Sequence, residues 1–256
     1  MTWIRAGALQ GFEQVLGPQY VDHGAVLRKS GIDPGKCSDP DELIPLKAVA
    51  QVLEAGATVS GIPDFGLRLS AAQGLDMLGA LSVLLQSSKS LHEAFFDVSR
   101  YLRFHSDGYD VSLDLQCSMF ENCCSLKFDI NVPGQACIRQ LIDGCIGFTY
   151  RSISALVDNQ FDVKHVFLPH TPVAEESVYR RFFRAPVSFG HTSALLVVHR
   201  SVLETPLKTG SPQVRRMARM YFEDQFLVRS RVRIHNQNMT TAANAHADRK
   251  TLGHLS

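Results

Sequence analysis

The ten histidines of this 256-residue sequence are the side chains best suited to acid–base catalysis or metal binding. None stands in a pattern that supports either chemistry, because the sequence contains no G-x-S-x-G elbow, no H-E-x-x-H pair and no glycine-rich phosphate loop. His92, His105, His165 and His199 are isolated from one another, which is typical of surface or satisfied core histidines. The sequence therefore predicts that the protein is not an enzyme. A catalytic site assembled in space from distant residues stays open as an alternative.

The cysteines form a second group of residues with potential chemistry. They are Cys37, Cys117, Cys123, Cys124, Cys137 and Cys145. No C-x-x-C pair occurs and no histidine lies beside them at zinc-ligand spacing. Cys117 and Cys124 fall on apolar positions of predicted strands, and Cys137 and Cys145 on a predicted helix, where free cysteine usually packs as a small apolar side chain. We therefore expect no cofactor and no metal ion.

The charge balance argues against a polyanionic partner. With 26 Lys and Arg against 25 Asp and Glu, the formal charge is +1, so no overall field attracts nucleic acid or an anionic membrane. Arg-rich segments around Arg180 and Arg215 could bind phosphate, but a solvated helix face is the favoured interpretation. The N-terminus lacks a signal-peptide core and no stretch is long enough to span a bilayer. A cytoplasmic protein without a membrane partner is predicted.

The clearest helix signals lie in residues 78–104. Ser90 and Glu93 fit a capping box, and an apolar face follows at helical spacing over 91–102. These features predict an amphipathic helix over 90–104. The apolar run 78–85 just before it predicts a short helix that is buried on most sides.

The middle of the chain predicts a hairpin and a covering helix. Apolar and polar residues alternate over 111–119 and again over 124–130, which predicts a β-hairpin that turns near 121–122. The apolar stripe from Ile138 to Val157 predicts a long helix over the hairpin's apolar face. Further strands are predicted at 163–168, near Phe189 and at 194–198, with a brief helix over 174–183. Together these elements predict an α+β fold with N-terminal helices, a small antiparallel sheet including a β-hairpin, and covering helices.

Several segments resemble the N-terminal effector-sensing domain of AraC-type bacterial transcriptional regulators, in the subfamily with an arabinose-binding-like domain. The segments are PDFGLRL at 63–69, LGAL at 78–81, SLHEA at 90–94, RAPVSFG at 184–190 with AL at 194–195, SVL at 201–203 and PL at 206–207, and upstream LRKSGIDP at 27–34 and IPL at 44–46. They occur in the order and spacing of that family. The similarity covers about residues 20–225.

The resemblance implies a small-molecule effector, a homodimer, and DNA binding through a C-terminal helix-turn-helix domain that is absent from this chain. It divides the chain into an effector-sensing regulatory domain (1–208), a linker or dimerisation helix (209–228) and a tail (229–256), whose polar composition predicts disorder. The sequence is thus interpreted as a regulator truncated before its DNA-binding domain. A premature stop, a frameshift and a sensor-only protein would all produce this pattern.

The resemblance carries no effector-binding motif, so candidate ligand residues come from charge alone. Arg68, Arg100 and Arg103 are the candidates for contacting an acidic effector, which is expected to lie against the apolar face of the domain. The alternative to a truncated regulator is a stand-alone small-molecule-binding or interaction protein that pairs with an intact regulator.

Overall fold

The N-terminal part of the chain is mainly helical in the computed structural model, which describes residues 2–17, 22–132, 134, 137–157 and 161–226. Its elements are β1 (Trp3–Arg5), α1 (Phe12–Leu16), α2 (His23–Lys29), β2 (Leu43–Pro45), α3 (Leu46–Ser60), α4 (Phe65–Ala72), α5 (Ala80–Ser87) and α6 (Leu91–Tyr101). Strands β1 and β2 pair antiparallel, with Ile4 opposite Ile44. The sequence did not indicate this pair, since strands of three residues are too short to show alternation.

The C-terminal part contains the main sheet. Its elements are β3 (Tyr109–Asp114), β4 (Cys123–Ile130), α7 (Arg139–Leu156), β5 (Val163–Leu168), α8 (Glu176–Phe183), β6 (Val187–Phe189), β7 (Ala194–His199) and α9 (212–226). The strand order is β3-β4-β7-β5-β6, with β5 and β6 parallel and the other neighbours antiparallel. The predicted α+β class is confirmed.

The main sheet contains the five predicted strands, and it is mixed rather than purely antiparallel. Strand β6 lies beside β5 and not beside β7, although a turn at Gly190–His191 connects β6 to β7. The reason is that α8 carries the chain from the end of β5 back to the same edge, so that β6 runs parallel to β5.

The predicted hairpin is present but its first strand is shorter than expected. Val111 pairs with Phe128 and Leu113 with Leu126, as the alternating pattern requires. Strand β3 ends at Asp114. Beyond it the carbonyl of Leu115 accepts a hydrogen bond from the Arg200 side chain instead of a ladder bond. Residues 115–119 therefore do not extend the strand.

Helix α6 begins where the capping residues predict. The Ser90 hydroxyl accepts a hydrogen bond from the Glu93 amide at 3.4 Å. The Glu93 carboxylate accepts from the amide of Lys89 at 2.9 Å rather than from that of Ser90. Helix α5 is buried on most sides, as predicted, and only the narrow stripe of Ala80, Val83 and Gln86 is exposed.

A contact between α4 and α7 joins the helical and sheet-forming parts of the fold. A Cβ atom at Gly66 would lie 2.1 Å from the Gln140 carbonyl oxygen, so only glycine permits this approach. The Gln140 side chain is 2% exposed, accepts a hydrogen bond from the Gly66 amide at 2.7 Å and donates one to the Pro63 carbonyl at 2.7 Å. From α3, Glu54 accepts a hydrogen bond from the Gln140 amide at 3.0 Å. One buried side chain thus connects α4 with the start of α7.

The chain divides into two compact units, residues 1–212 and 213–256. In the second unit the structure describes helix α9 as far as residue 226, and the predicted disordered tail at 229–256 lies outside the described residues. None of the helices in the described ranges combines the length and apolar composition needed to cross a bilayer.

Substituting Gly66 tests the contact between α4 and α7. Gly66→Ala is expected to destabilise the protein by about 3 kcal/mol or more, because its methyl group would overlap backbone atoms that cannot move away alone. Gly144→Ala is the matched control, since its Cβ would meet Gly66 atoms at 3.6 Å or more, an ordinary contact distance. Urea unfolding measures both. Equal stability of the two variants would contradict the tight approach.

Candidate functional site

A mostly apolar cavity of about 120 Å³ lies within the first unit. Its walls include residues of β1, of helices α3 to α7 and of the β3–β4 hairpin. A small-molecule pocket typically has this character, with an apolar lining and few polar groups.

The apolar face predicted for α6 forms one wall. Its members, all of which line the cavity, are Leu91, Ala94, Phe95, Val98 and Leu102. All of them except Val98 are buried. The stripe is amphipathic in sequence because one side of the helix faces the cavity and the other faces solvent.

Helix α7 and the hairpin form further walls. Cys145, Phe148 and Ser152 follow one another at helical spacing on α7, and Val111 and Phe128 are cross-strand partners in the hairpin. The long helix therefore faces the hairpin, as predicted, but part of the space between them is a cavity.

The two notable polar groups of the lining are His105 and Ser152. His105 is 3% exposed, and its Nδ1 has no hydrogen-bond partner within the described part of the chain. The Oγ of Ser152 is also buried without a partner there. Burial, with a smaller contribution from Arg5, lowers the pKa of His105 to about 3, so its ring is neutral. A buried polar atom without a partner is costly, and it is a natural contact point for a ligand.

In the sequence, His105 is isolated from the other histidines and Ser152 belongs to no recognisable motif. The one feature of the sequence that could have indicated Ser152 is its position on α7. It lies two turns after Cys145 and interrupts the apolar stripe of that helix.

A second pair of lining residues is already engaged. The Tyr109 hydroxyl and the Cys145 thiol form a hydrogen bond, and burial raises the pKa of Tyr109 well above its ordinary value. Burial also raises the pKa of Cys145 to about 11, so the sulfur is a neutral thiol. Since the thiolate is the reactive form, Cys145 is a poor nucleophile.

None of the three candidate arginines lines the cavity. Arg68 pairs with Asp64 on its own helix, with Nε 2.9 Å from Oδ1. The guanidinium of Arg100 lies 5.4 Å from the ring centroid of Tyr101, and Arg103 is exposed. A role for these arginines in binding an effector stays a prediction, and it applies only to an effector that binds outside the cavity.

A buried polar cluster lies elsewhere, between α7, α8 and the loop after β5. Asp143 accepts a hydrogen bond from the Tyr179 hydroxyl at 2.7 Å, and its other oxygen lies 3.2 Å from His170 Nε2. His170 Nδ1 is 2.8 Å from the Thr171 carbonyl, to which it can only donate. Burial acts to lower the pKa of His170, but the Asp143 carboxylate outweighs it and the pKa is raised. The sequence did not indicate this cluster, because its members are far apart in the chain.

The end of α5 and the connection to α6 are also hydrogen-bonded to the segment that precedes α9. The amide of Leu207 donates to the Lys89 carbonyl at 2.9 Å, and the amide of Ser211 donates to the Ser87 carbonyl at 2.9 Å. The Thr209 hydroxyl donates to the Gln86 carbonyl at 2.5 Å. Residues 86–89, which lie between the cavity-lining residues Leu85 of α5 and Leu91 of α6, are thus hydrogen-bonded to residues 207–211.

The described residues contain no group of three or more metal-ligating side chains placed to hold an ion. The arrangement offers an apolar cavity with two buried polar atoms that have no partner among the described residues, a lining that is typical of small-molecule binding sites.

Comparison with known proteins identifies the class of domain. The family described as the arabinose-binding domain of AraC transcription regulators, N-terminal, matches residues 21–207, so the chain belongs to this family. Those residues therefore make up the N-terminal domain of an AraC-type transcription regulator, as the sequence resemblance predicted.

Individual relatives agree with this assignment. The chain is 27% identical over 224 residues to the HTH-type transcriptional regulator VirS of Mycobacterium tuberculosis, in strains CDC 1551 / Oshkosh and ATCC 25618 / H37Rv. The match covers 88% of this chain, which spans 65% of the length of those relatives. The crystal structure of the transcriptional regulator CdpR from Pseudomonas aeruginosa is similar in fold, with a TM-score of 0.58, 18% identity, and coverage of 80% of this chain and 60% of that one.

The buried ion pair predicts a pH dependence of stability. Because the pKa of His170 is raised above 6.5 in the folded state, its contribution is fully present below pH 6.5 and is lost as pH rises through the raised value. His170→Gln should cost about 3 kcal/mol at pH 6, where it leaves Asp143 unpaired, and less at pH 9. Urea unfolding at both pH values measures the difference. Asp143→Asn, which removes the pair from the other side, should flatten the same dependence, and a cost of His170→Gln that is equal at the two pH values would contradict the ion pair.

Proposed function

We propose that this chain is the effector-binding and dimerisation part of an AraC-type transcriptional regulator of the cytoplasm. The observation that carries the proposal is the apolar cavity bounded by α6, α7 and the hairpin, with buried polar atoms of His105 and Ser152 left unpartnered. The proposal includes DNA binding, which a C-terminal domain outside this chain would carry out.

The hydrogen bonds made by residues 86–89 support a route from the cavity to the rest of a regulator. An effector that contacts Leu85 of α5 or Leu91 of α6 acts on the two helix ends that flank these residues, and the chain continues from residues 207–211 into α9. A change in the position of α6 would therefore reach the segment that leads to α9. Such coupling requires that the effector bind the two positions of α6 with different affinity.

The composition of α9 supports dimerisation. Its exposed large apolar side chains recur at helical spacing, and they are Val214, Met217, Met220 and Tyr221. An apolar stripe on a helix is the usual contact surface of a helix pair. We propose that this stripe pairs with its copy in a homodimer.

Filling the cavity tests effector binding. In a thermal-shift screen of organic acids, amino acids, sugars, alcohols and apolar ring compounds, a ligand at about 100 times its dissociation constant should stabilise the protein by roughly 2.7 kcal/mol. Ala94→Leu places a larger side chain in the cavity and should abolish that stabilisation. The control is Ala71→Leu on the exposed side of α4, away from the cavity, which should keep it. A hit that stabilises both variants equally would contradict binding in the cavity.

A charged substitution on α9 tests dimerisation. Met217→Glu should shift the protein towards the monomer in sedimentation velocity, because pairing would bury two unpaired carboxylates. Arg216→Glu, which changes charge on another side of the helix, should leave the dimer largely intact. A wild-type chain that sediments as a monomer at all concentrations would refute this part of the proposal.

A further inference from the structure

The lining of the cavity restricts the charge of anything that binds there. Its described lining residues include no Asp, Glu, Lys or Arg. A charged ligand would leave water without gaining an opposite charge, at a cost of several kcal/mol. His105 does not supply a cation, because its ring is buried and Arg5 nearby further disfavours a second positive charge.

The number of free hydrogen-bonding atoms restricts how polar the ligand can be. The Tyr109 hydroxyl and the Cys145 thiol are hydrogen-bonded to each other. The Thr149 hydroxyl donates a hydrogen bond to the Cys145 carbonyl at 2.9 Å. The side-chain amide of Gln73 donates a hydrogen bond to the Ala8 carbonyl at 2.9 Å. Among the lining residues, the buried side-chain atoms that have no hydrogen-bond partner in the described part of the chain are His105 Nδ1 and Ser152 Oγ.

The size of the cavity restricts the ligand further. At about 120 Å³ it is slightly smaller than an apolar cavity of about 150 Å³ that holds a benzene molecule. A single small ring is therefore about the largest group that the cavity can enclose. A sugar such as arabinose would fit by volume, but its several hydroxyl groups would exceed the two polar atoms available and would be buried without partners.

We infer that the effector of this cavity is a neutral, largely apolar molecule of about one ring, with a single hydrogen-bonding group that contacts His105 and Ser152. This inference rests on the proposed effector-binding function and gives it a ligand class. The inferred ligand differs from two others that could be expected. One is an acidic ligand held by Arg68, Arg100 or Arg103, and the other is the sugar named in the description of the family.

Four probes of similar size test the class, namely benzyl alcohol, toluene, benzoate and L-arabinose. Each is titrated into the full chain in sealed cells, with the dissociation constant taken from chemical-shift changes and the thermal midpoint measured in parallel. Benzyl alcohol should bind and raise the midpoint, and it should bind about fivefold more tightly than toluene, the equivalent of one net hydrogen bond. Benzoate and L-arabinose should leave the midpoint unchanged.

Two variants locate the polar contact. Ser152→Ala should remove most of the preference for benzyl alcohol over toluene while toluene still binds. His105→Phe should act in the same direction, and Ser152→Ala keeps the test valid if His105→Phe does not fold. An unchanged preference in Ser152→Ala and in a folded His105→Phe variant would overturn the assigned contact.

The outcomes separate failure of the ligand class from failure of the proposed function. If benzoate or L-arabinose binds and Ala94→Leu abolishes that binding, the ligand class is wrong but the cavity still binds an effector. If none of the four probes binds, the ligand class is overturned, and the wider thermal-shift screen decides the proposed function separately. If benzyl alcohol binds Ala94→Leu as well as it binds the wild type, its site is outside the cavity and the ligand class is overturned, and the thermal-shift screen with Ala94→Leu again decides the proposed function.

Discussion

The buried side chain of Gln140 is the interaction on which the arrangement of this domain depends. Its amide group bonds to the Gly66 amide and the Pro63 carbonyl at the start of α4, while its own backbone amide bonds to Glu54 on α3. Three helices therefore meet at one residue. Because the side-chain amide of Gln140 is buried, both of its hydrogen bonds must be made within the protein. This requirement favours one position of α7 over other positions that would bury a similar apolar area.

The cavity follows from the position that these bonds impose on α7. One side of the helix approaches α4 closely at Gly66, so the other side is turned towards the hairpin and α6. Small residues, Gly144 on α7 and Ala94 on α6, line the space between the helices. A larger residue at either position would occupy part of that space. The same packing that stabilises the helical half of the domain therefore leaves space next to the sheet.

Local patterns predicted the elements of this fold better than their pairing. The capping residues Ser90 and Glu93 and the alternation in the hairpin are short-range signals, and α6, β4 and β5 lie close to where they were expected. The placement of β5 between β7 and β6 depends on long-range pairing that alternation does not encode. For the site, the apolar face of α6 was predictable, but Ser152, His105 and the empty volume were not, because they depend on how well distant surfaces fill the space between them.

The hydrogen bonds between residues 86–89 and the segment 206–211 set an energy scale for signalling. Each backbone bond of this kind contributes a net free energy of about 1 kcal/mol. A ligand that prefers one position of α6 tenfold over another supplies about 1.4 kcal/mol. The two quantities are similar, so a ligand of modest selectivity would provide enough energy to break one of these bonds. The free energy that holds the segment before α9 in place is therefore similar to the difference in binding free energy that a small, weakly polar ligand can supply.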